Sequence, residues 1–369
     1  NGVAVALMLM VLDDDEIEHP PVECVFTTEE EVGLNGAKAL DKSVLKARTM
    51  INMDSEDEGV ATVSCAGGLR VQFTKEIQRT TVQGSLLTLK VEGLLGGHSG
   101  QDIDKERQNA DLLMARMIQR LLKETKGQLV SFNGGTKDNA IPRECEASLI
   151  YESDEEAAKA EELACELAET YAEELTPAEP DFSCEISCET NRTAEAIPQD
   201  AAKEFICAMR LAPNGIQKRN IKMDGFVVVS LNLGVVRTEE DRIVMIFSPR
   251  SSVASLQEDT KERLNTLAET FGFTVSHSSE YPGWSFKEDS PVREICKESY
   301  KELFGEDLKI EAIHAGLECG LFSDAIKGLD AIAIGPTIAN CHTPDEYLTL
   351  DSFERFYEFL KDILSRLAK

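Results

Sequence analysis

The sequence predicts an α/β domain, with a mixed sheet and helices on both faces, that is split by an inserted α+β domain. Short apolar strands that end in polar turns occur near both ends of the chain, a pattern typical of α/β proteins. From residue 68 onward, longer alternating strands are separated by amphipathic helices instead. The predicted domains are therefore 1–67 together with 287–369, and 68–286.

The composition is that of a folded, acidic protein. The 369 residues are enough for two domains, and 42% hydrophobic residues can supply packed cores. A net charge of −29 argues against nucleic acid or an anionic membrane as partner, because both require basic patches. The ten cysteines contain no CxxC pair, and no apolar run reaches the roughly 18 residues of a membrane-spanning helix. We expect a cytoplasmic protein.

The elements of the split domain follow from apolar runs and their breaks. An apolar helix is predicted over 3–12, ended by three aspartates and a Pro-Pro pair. Ser290-Pro291 provides an N-cap and an N1 proline, which predicts that a helix begins there. Further elements are apolar strands over 22–26, 49–52, 308–313 and 329–334, and a terminal amphipathic helix over 353–367.

The inserted domain is predicted from two periodicities. Alternating patterns predict strands over 86–94, 128–132, 144–151, 226–236 and 242–247. Helical spacing of apolar residues predicts helices over 108–123 and 154–175. The second helix is preceded by Ser153, which has capping-box spacing to Glu156.

Acidic and imidazole side chains follow the strands of the split domain. Glu29, Glu30 and Glu31 follow its first strand, Asp54 follows the second, and His342 lies in the turn after the last. Ligands of open α/β sheets bind at such strand ends, and carboxylates with imidazoles are typical transition-metal ligands. Glu31, Asp54 and His342 therefore form a candidate metal set. The alternative is that they are ordinary loop residues and that the glutamates begin a helix.

Three further candidates end strands of the inserted domain. His98 lies in the turn GGHSG, where glycines allow the backbone to approach a ligand closely. Asn139 precedes Ala-Ile-Pro, and Arg250 has the guanidinium geometry that binds a carboxylate through two hydrogen bonds. The alternative is that these are solvated surface residues.

Taken together, these motifs resemble the di-zinc dipeptidases, the family that contains the aminoacyl-histidine dipeptidases and is related to carnosinase and aminoacylase. The resemblance covers essentially the whole chain in the same order. It implies a zinc-peptidase-like catalytic domain and an inserted lid domain that forms a homodimer. The motifs are TEE followed by VGLNGA, NMDSEDEG, CAGG, GGHSG, FNGGTKDNAIP, YPGW, IHAGLECGLF and IGPTIANCHTPDE.

The resemblance also implies a role for each candidate in metal binding and catalysis. Glu30 would be the general base that activates water, while Glu31 and His342 would bind one zinc ion and Asp54 the other. A ligand carboxylate is neutralised by its metal, whereas the neighbouring base stays free to take a proton. Two Zn²⁺ ions are implied, and Mn²⁺ or Co²⁺ would suit the same ligands.

The remaining candidates are implied to contact the substrate. The histidine that matches His98 helps to stabilise the tetrahedral intermediate by reaching into the other subunit of a dimer. Arg250 and Asn139 match positions that hold the carboxyl terminus of a dipeptide. Glu318 lies on a loop that closes over the substrate in relatives.

The family pattern places two further ligands upstream of residue 1. They are a His in an HxD motif and a bridging Asp in a segment that ends Asp-Asn-Gly, and Asn1-Gly2 resembles the end of that segment. We therefore expect that an amino-terminal part is missing. Because a metal site needs its full number of ligands to hold the ion, the chain alone is expected to bind zinc poorly and to be inactive.

Two alternative functions use the same scaffold. The same machinery could hydrolyse an N-acyl amino acid, and the lining of the pocket would decide between the two substrates. A non-catalytic dimerisation or binding module is the other alternative. A base that is not itself a metal ligand, as Glu30 beside Glu31, favours catalysis over that module because binding alone does not require such a base.

Overall fold

The computed structural model describes residues 1–31, 33–221, 225–341 and 343–369. These residues form two compact units: Asn1–Gly67 with Tyr281–Lys369, and Gly68–Glu280. The sequence predicts the return to the first unit at residue 287, whereas it occurs at Tyr281, where the last strand of the insertion ends. No helix among the described residues is both long and apolar enough to cross a membrane.

Both units contain helices and strands, and strands outnumber helices among the described residues. The α-helices are α1 (Gly2–Asp13), α2 (Asn35–Ala39), α3 (Ala110–Glu124), α4 (Asp154–Leu175), α5 (Gln199–Leu211), α6 (Ala254–Thr270), α7 (Pro291–Phe304), α8 (Glu318–Ala325) and α9 (Leu350–Ala368). The strands are β1 (Thr49–Asn52), β2 (Val60–Cys65), β3 (Gly67–Glu76), β4 (Thr80–Glu92), β5 (Gly97–His98), β6 (Gln128–Gly134), β7 (Ala140–Ile141), β8 (Cys145–Tyr151), β9 (Ser183–Ala196), β10 (Gly215–Arg219), β11 (Val227–Thr238), β12 (Arg242–Ser251), β13 (Thr274–Tyr281), β14 (Lys309–Ile313), β15 (Asp330–Ala333), β16 (Ile338–Ala339) and β17 (Tyr347–Leu348).

The first unit contains a four-stranded mixed sheet in the order β1-β15-β2-β14. Strand β1 is parallel to β15 and β14 is parallel to β2, whereas β15 and β2 are antiparallel. The carboxyl ends of β1 and β15 therefore meet at one edge of the sheet, while β14 runs in the opposite direction. This edge brings together the turns that follow β1 and β15.

The predicted strand over 22–26 is wrong. The segment has no regular secondary structure, and no strand among the described residues pairs with it. A side chain, and not a backbone ladder, connects it to the segment around residue 46. The Glu23 carboxylate accepts the N–H groups of Lys46 and Ala47 at 2.9 and 2.8 Å. The prolines at 20 and 21 also remove two N–H donors directly before it.

Helix capping follows the sequence closely. Helix α4 has the predicted bounds, and the Ser153 hydroxyl accepts the N–H of Glu156. The Ser290 hydroxyl accepts the N–H of Arg293 at the start of α7, where Pro291 occupies the first turn. Such a cap satisfies a backbone donor that the helix leaves free, and it contributes about 1 kcal/mol.

The second unit is built on a larger sheet in the order β13-β3-β12-β11-β6-β8-β4-β9, with β10 paired to β11. Helix α3 packs against both α4 and α5 over its core. Fully buried aromatic rings anchor that core, and Phe132 meets Phe205 edge to face at 5.5 Å. Each such side chain contributes about 1.5–3 kcal/mol by burial. The sheet therefore gives a firm base to the loops at its strand ends.

Candidate functional site

The acidic turn of the first unit is a compact, hydrogen-bonded loop. The N–H of Gly36 donates to the Thr28 carbonyl at 2.9 Å, and the N–H of Leu34 donates to the Glu30 carbonyl at 2.8 Å. A Cβ atom on Gly36 would lie only 2.4 Å from the Thr28 backbone, so the close approach requires glycine. Within this turn Glu30 is half-buried and Glu31 is exposed.

Asp54 and Glu318 form a second group of carboxylates in the same unit. Asp54 follows β1, and its carboxylate accepts the side-chain amide of Asn1 at 2.7 Å. Burial raises the pKa of Glu318; a hydrogen bond from Thr27 opposes this, and the charge of Asp54 adds to it. The Oε1 atom of Glu318 is buried and has no hydrogen-bond partner among the described residues. The segment that leads to Glu30 thus meets Glu318 through Thr27.

The turn after β15 lies against the turn after β1. The N–H of Ile338 donates to the Glu56 carbonyl at 2.9 Å. Burial, together with the neighbouring Glu56 carboxylate, raises the pKa of the Cys341 thiol to about 11. The chain up to residue 341 is therefore held beside the Asp54 turn. His342 itself lies outside the described residues.

Glu318 reaches this region from a strand other than β1 and β15. It follows β14, which runs opposite to β1 and β15, so their carboxyl ends do not share an edge. Glu318 instead begins α8, and the helix start brings its carboxylate within electrostatic reach of Asp54.

The carboxylates of this unit are chemically suited to bind a divalent cation. A buried carboxylate oxygen without a partner, close to a second carboxylate, favours a bound cation or a proton. Across the described ranges, no group of three or more His, Cys, Asp and Glu residues is arranged to hold a metal. The predicted ligand His342 is not among those residues.

In the second unit, His98 has a fixed ring orientation. Strand β5 carries it and pairs with β7, with His98 opposite Ala140. Its Nδ1 atom accepts the N–H groups of Gly100 and Gln101 at 3.3 and 3.0 Å. An imidazole nitrogen that accepts two hydrogen bonds carries no proton, so the neutral ring holds its proton on Nε2. The structure thus leaves Nε2–H as the donor of His98.

The surroundings of His98 also favour its neutral form. Burial lowers its pKa and the positive charge of Arg250 lowers it further, whereas Asp102 acts in the other direction. Arg250 lies on β12 and is 7% exposed. The second unit therefore places a neutral hydrogen-bond donor near a buried guanidinium.

Asn139 is held beside this pair by its backbone. Its carbonyl accepts the N–H of Ser99 at 2.8 Å, and its side chain is exposed. Beneath it, the side chain of Asn232 donates to the carbonyls of Asp138 and Ala140 at 3.3 and 2.8 Å. The structure therefore brings His98, Asn139 and Arg250 together.

Asn232 was not singled out by the sequence. It is 1% exposed and lies in the middle of β11, inside a largely apolar run. An amide at such a position must find partners when buried, and that was the available signal. The signal indicates a structural hydrogen bond without indicating which loop accepts it.

Comparison with known proteins gives consistent matches over the whole chain. The model of "Peptidase family M20/M25/M40" matches residues 1–366. The cytosol non-specific dipeptidase of Escherichia coli K12 is 34% identical over 373 aligned positions, which cover 100% of this chain and 76% of that protein. The crystal structure of aminoacylhistidine dipeptidase from Vibrio alginolyticus has a TM-score of 0.93 and 34% identity, and the match covers 98% of this chain and 74% of that one.

A more distant structure shows the fold alone. Aminopeptidase PepT from Bacillus cereus is 15% identical with a TM-score of 0.50, over 100% of this chain and 71% of that one. These matches confirm the predicted fold class and the family resemblance. They give no support to the predictions that an upstream part is missing and that the chain alone is inactive. Because the family model matches residues 1–366, the chain belongs to peptidase family M20/M25/M40.

Proposed function

We propose that this protein hydrolyses dipeptides, among them Xaa-His dipeptides, in a metal-dependent reaction. The observation that carries the proposal is 34% identity along the whole chain to a relative named cytosol non-specific dipeptidase. The similarity to an aminoacylhistidine dipeptidase structure supports the same substrate class. No comparison favours the N-acyl amino acid or the non-catalytic alternative.

The metal is proposed to be zinc, with two ions per active site and Mn²⁺ or Co²⁺ as substitutes. Glu31 and His342 would hold one ion, and Asp54 the other. Chemically, oxygen and nitrogen donors of this type suit zinc, and the unpartnered oxygen of Glu318 beside Asp54 supports a cation in this region. When bound, the pair of ions would lower the pKa of water and polarise the scissile carbonyl.

Glu30 is proposed as the general base. It lies next to Glu31, half-buried in the turn closed by Gly36. A carboxylate that binds no metal can accept the proton of the attacking water and later deliver it to the leaving amine. The compact turn would hold this carboxylate in place for both proton transfers.

His98, Arg250 and Asn139 are proposed to act on the substrate. The Nε2–H of a neutral His98 would donate to the oxygen that becomes negative as the carbonyl is attacked. Arg250 and Asn139 would bind the terminal carboxylate, since a guanidinium can donate two parallel hydrogen bonds. Glu318 would lie in the loop that covers the substrate.

The proposal extends to assembly and location. We expect a homodimer formed through the inserted unit, in which His98 would serve the active site of the partner subunit. We also expect a cytoplasmic protein, in keeping with the word "cytosol" in the name of the Escherichia coli relative. The net charge of −29 supports a small substrate rather than nucleic acid or an anionic membrane.

The variant Glu30→Gln tests the base assignment. Zinc content should persist, because Glu30 is not assigned as a ligand, while kcat for an Xaa-His dipeptide should fall about 10²- to 10⁴-fold. Metal analysis of the purified variant and steady-state kinetics measure the two effects. The matched control is Glu29→Gln, since Glu29 is exposed and its carboxylate accepts a hydrogen bond from the nearby Asn35 side chain. Turnover that survived in Glu30→Gln would show that another group is the base.

A further inference from the structure

Glu179 is a buried carboxylate in the second unit, in the turn that follows α4. It is 2% exposed. Its Oε2 atom accepts the N–H of Leu95 at 2.7 Å, and its Oε1 atom accepts the N–H of Gln108 at 2.9 Å. One side chain therefore joins two backbone positions that bracket His98. We refer to residues 95–108 as the His98 loop.

The contacts inside the His98 loop are mostly local. The Asp102 carboxylate accepts the N–H of His98 at 2.8 Å and the Lys105 ammonium at 2.6 Å. The Nδ1 atom of His98 accepts two N–H groups of the same turn. These bonds fix the ring relative to its own turn, but they do not fix where the ends of the loop lie. The bonds to Glu179 close the loop at its base.

A carboxylate is well suited to this task. Burying an ionised group is costly unless hydrogen bonds satisfy it, and here each oxygen has its own N–H donor. An amide could accept from only one of the two donors, because its NH₂ group would face the other N–H. The backbone of Glu179 is also fixed, since its N–H donates to the Leu175 carbonyl at 2.9 Å at the end of α4.

We propose that Glu179 is a positioning residue that acts through His98. By holding both ends of the His98 loop, it sets the direction in which the Nε2–H of His98 points. The proposal rests on the role given to His98 under the proposed function. A donor aimed at a developing charge acts in the transition state, so its misplacement lowers kcat and leaves KM nearly unchanged.

Kinetics of Glu179→Gln test the proposal against a purely structural role. We expect kcat for an Xaa-His dipeptide to fall about 10- to 100-fold, the range expected when a catalytic group is displaced by about 1 Å. The matched control is Glu173→Gln, the same change at an exposed site on α4, which should leave kcat unchanged. In a His98→Ala background, Glu179→Gln should add less than about a twofold effect, because the two residues act as one unit. An equal loss in both backgrounds would refute the proposal.

The state of the His98 ring gives a second readout that needs no turnover. In Glu179→Gln, nitrogen chemical shifts of a labelled protein should still place the proton on Nε2, because the two N–H donors to Nδ1 belong to the same turn as His98. The pKa of His98 should rise toward its ordinary value as its burial near Arg250 is lost. An unchanged titration of His98 would overturn the proposal. If the unmodified protein did not hydrolyse dipeptides, the proposed function would fail while this readout still decided the role of Glu179. Should Glu179→Gln not fold, Glu179→Asp, which retains the charge but shortens the side chain, is judged by the same criteria.

Discussion

Asp111 is a fully buried carboxyl group in the first turn of α3, and its protonation gives a quantitative prediction. Neither of its carboxyl oxygens has a regular hydrogen-bond partner among the described residues, and Cys145 is a weak donor beside it. Burial raises the pKa of Asp111 from 3.8 to about 8. The native protein therefore retains this proton at neutral pH, where the unfolded chain has lost it.

The sign of the resulting pH dependence follows from proton binding. Between pH 4 and 8 the unfolded state binds fewer protons at this position, so the free energy of unfolding falls as pH rises. Asp111→Asn cannot ionise and lacks this dependence. The difference in stability between the variant and the wild type should grow by about 1.4 kcal/mol per pH unit. From pH 5 to pH 7 this amounts to roughly 3 kcal/mol in favour of the variant.

Urea unfolding at pH 5, 6 and 7 measures this difference. Far-UV circular dichroism is the suitable signal, because Trp284, the single tryptophan of the sequence, belongs to the first unit and not to that of Asp111. The matched control is Asp200→Asn, an exposed aspartate in the first turn of α5, whose stability difference should not change with pH. A constant difference between Asp111→Asn and the wild type across this range would refute the buried-proton explanation.

Two further predictions concern the packing beneath the second unit's candidate site. Asn232→Ala removes two hydrogen bonds to the loop that carries Asn139, so it should lower the free energy of unfolding by roughly 1–3 kcal/mol and speed amide exchange in that loop. Unchanged exchange would contradict this role. Gly134→Ala would place a Cβ atom 1.6 Å from the Oδ1 atom of Asp111, so overpacking should cost about 1–3 kcal/mol in urea unfolding. An alanine tolerated without loss would show that Asp111 can move aside.

The sequence predicted those helices and strands whose pattern lies within the segment itself. The bounds of α4 follow from its helical spacing and the Ser153 cap, and β1 from an apolar run with a polar end. The strand over 22–26 failed because an apolar run becomes a strand only when a neighbour offers a ladder, and that depends on residues far along the chain.

The candidate site also has a part that the sequence predicts and a part that it does not. Its glycine-rich turns and the residues they carry, such as His98, have sequence signatures because glycine permits backbone conformations that other residues avoid. For Glu179 and Asn232, by contrast, the sequence does not indicate which residues they contact. Glu179 lies 71 positions from Gln108, whose N–H it accepts, and only the folded sheet makes them neighbours.

The direct test of the central claim is hydrolysis of an Xaa-His dipeptide by the purified chain before and after removal of metal. The proposed chemistry predicts release of both amino acids when zinc is supplied, loss of that activity after chelation, and recovery when zinc is restored. Hydrolysis that was unaffected by chelation, or no hydrolysis with zinc present, would contradict metal-dependent dipeptide cleavage by this protein.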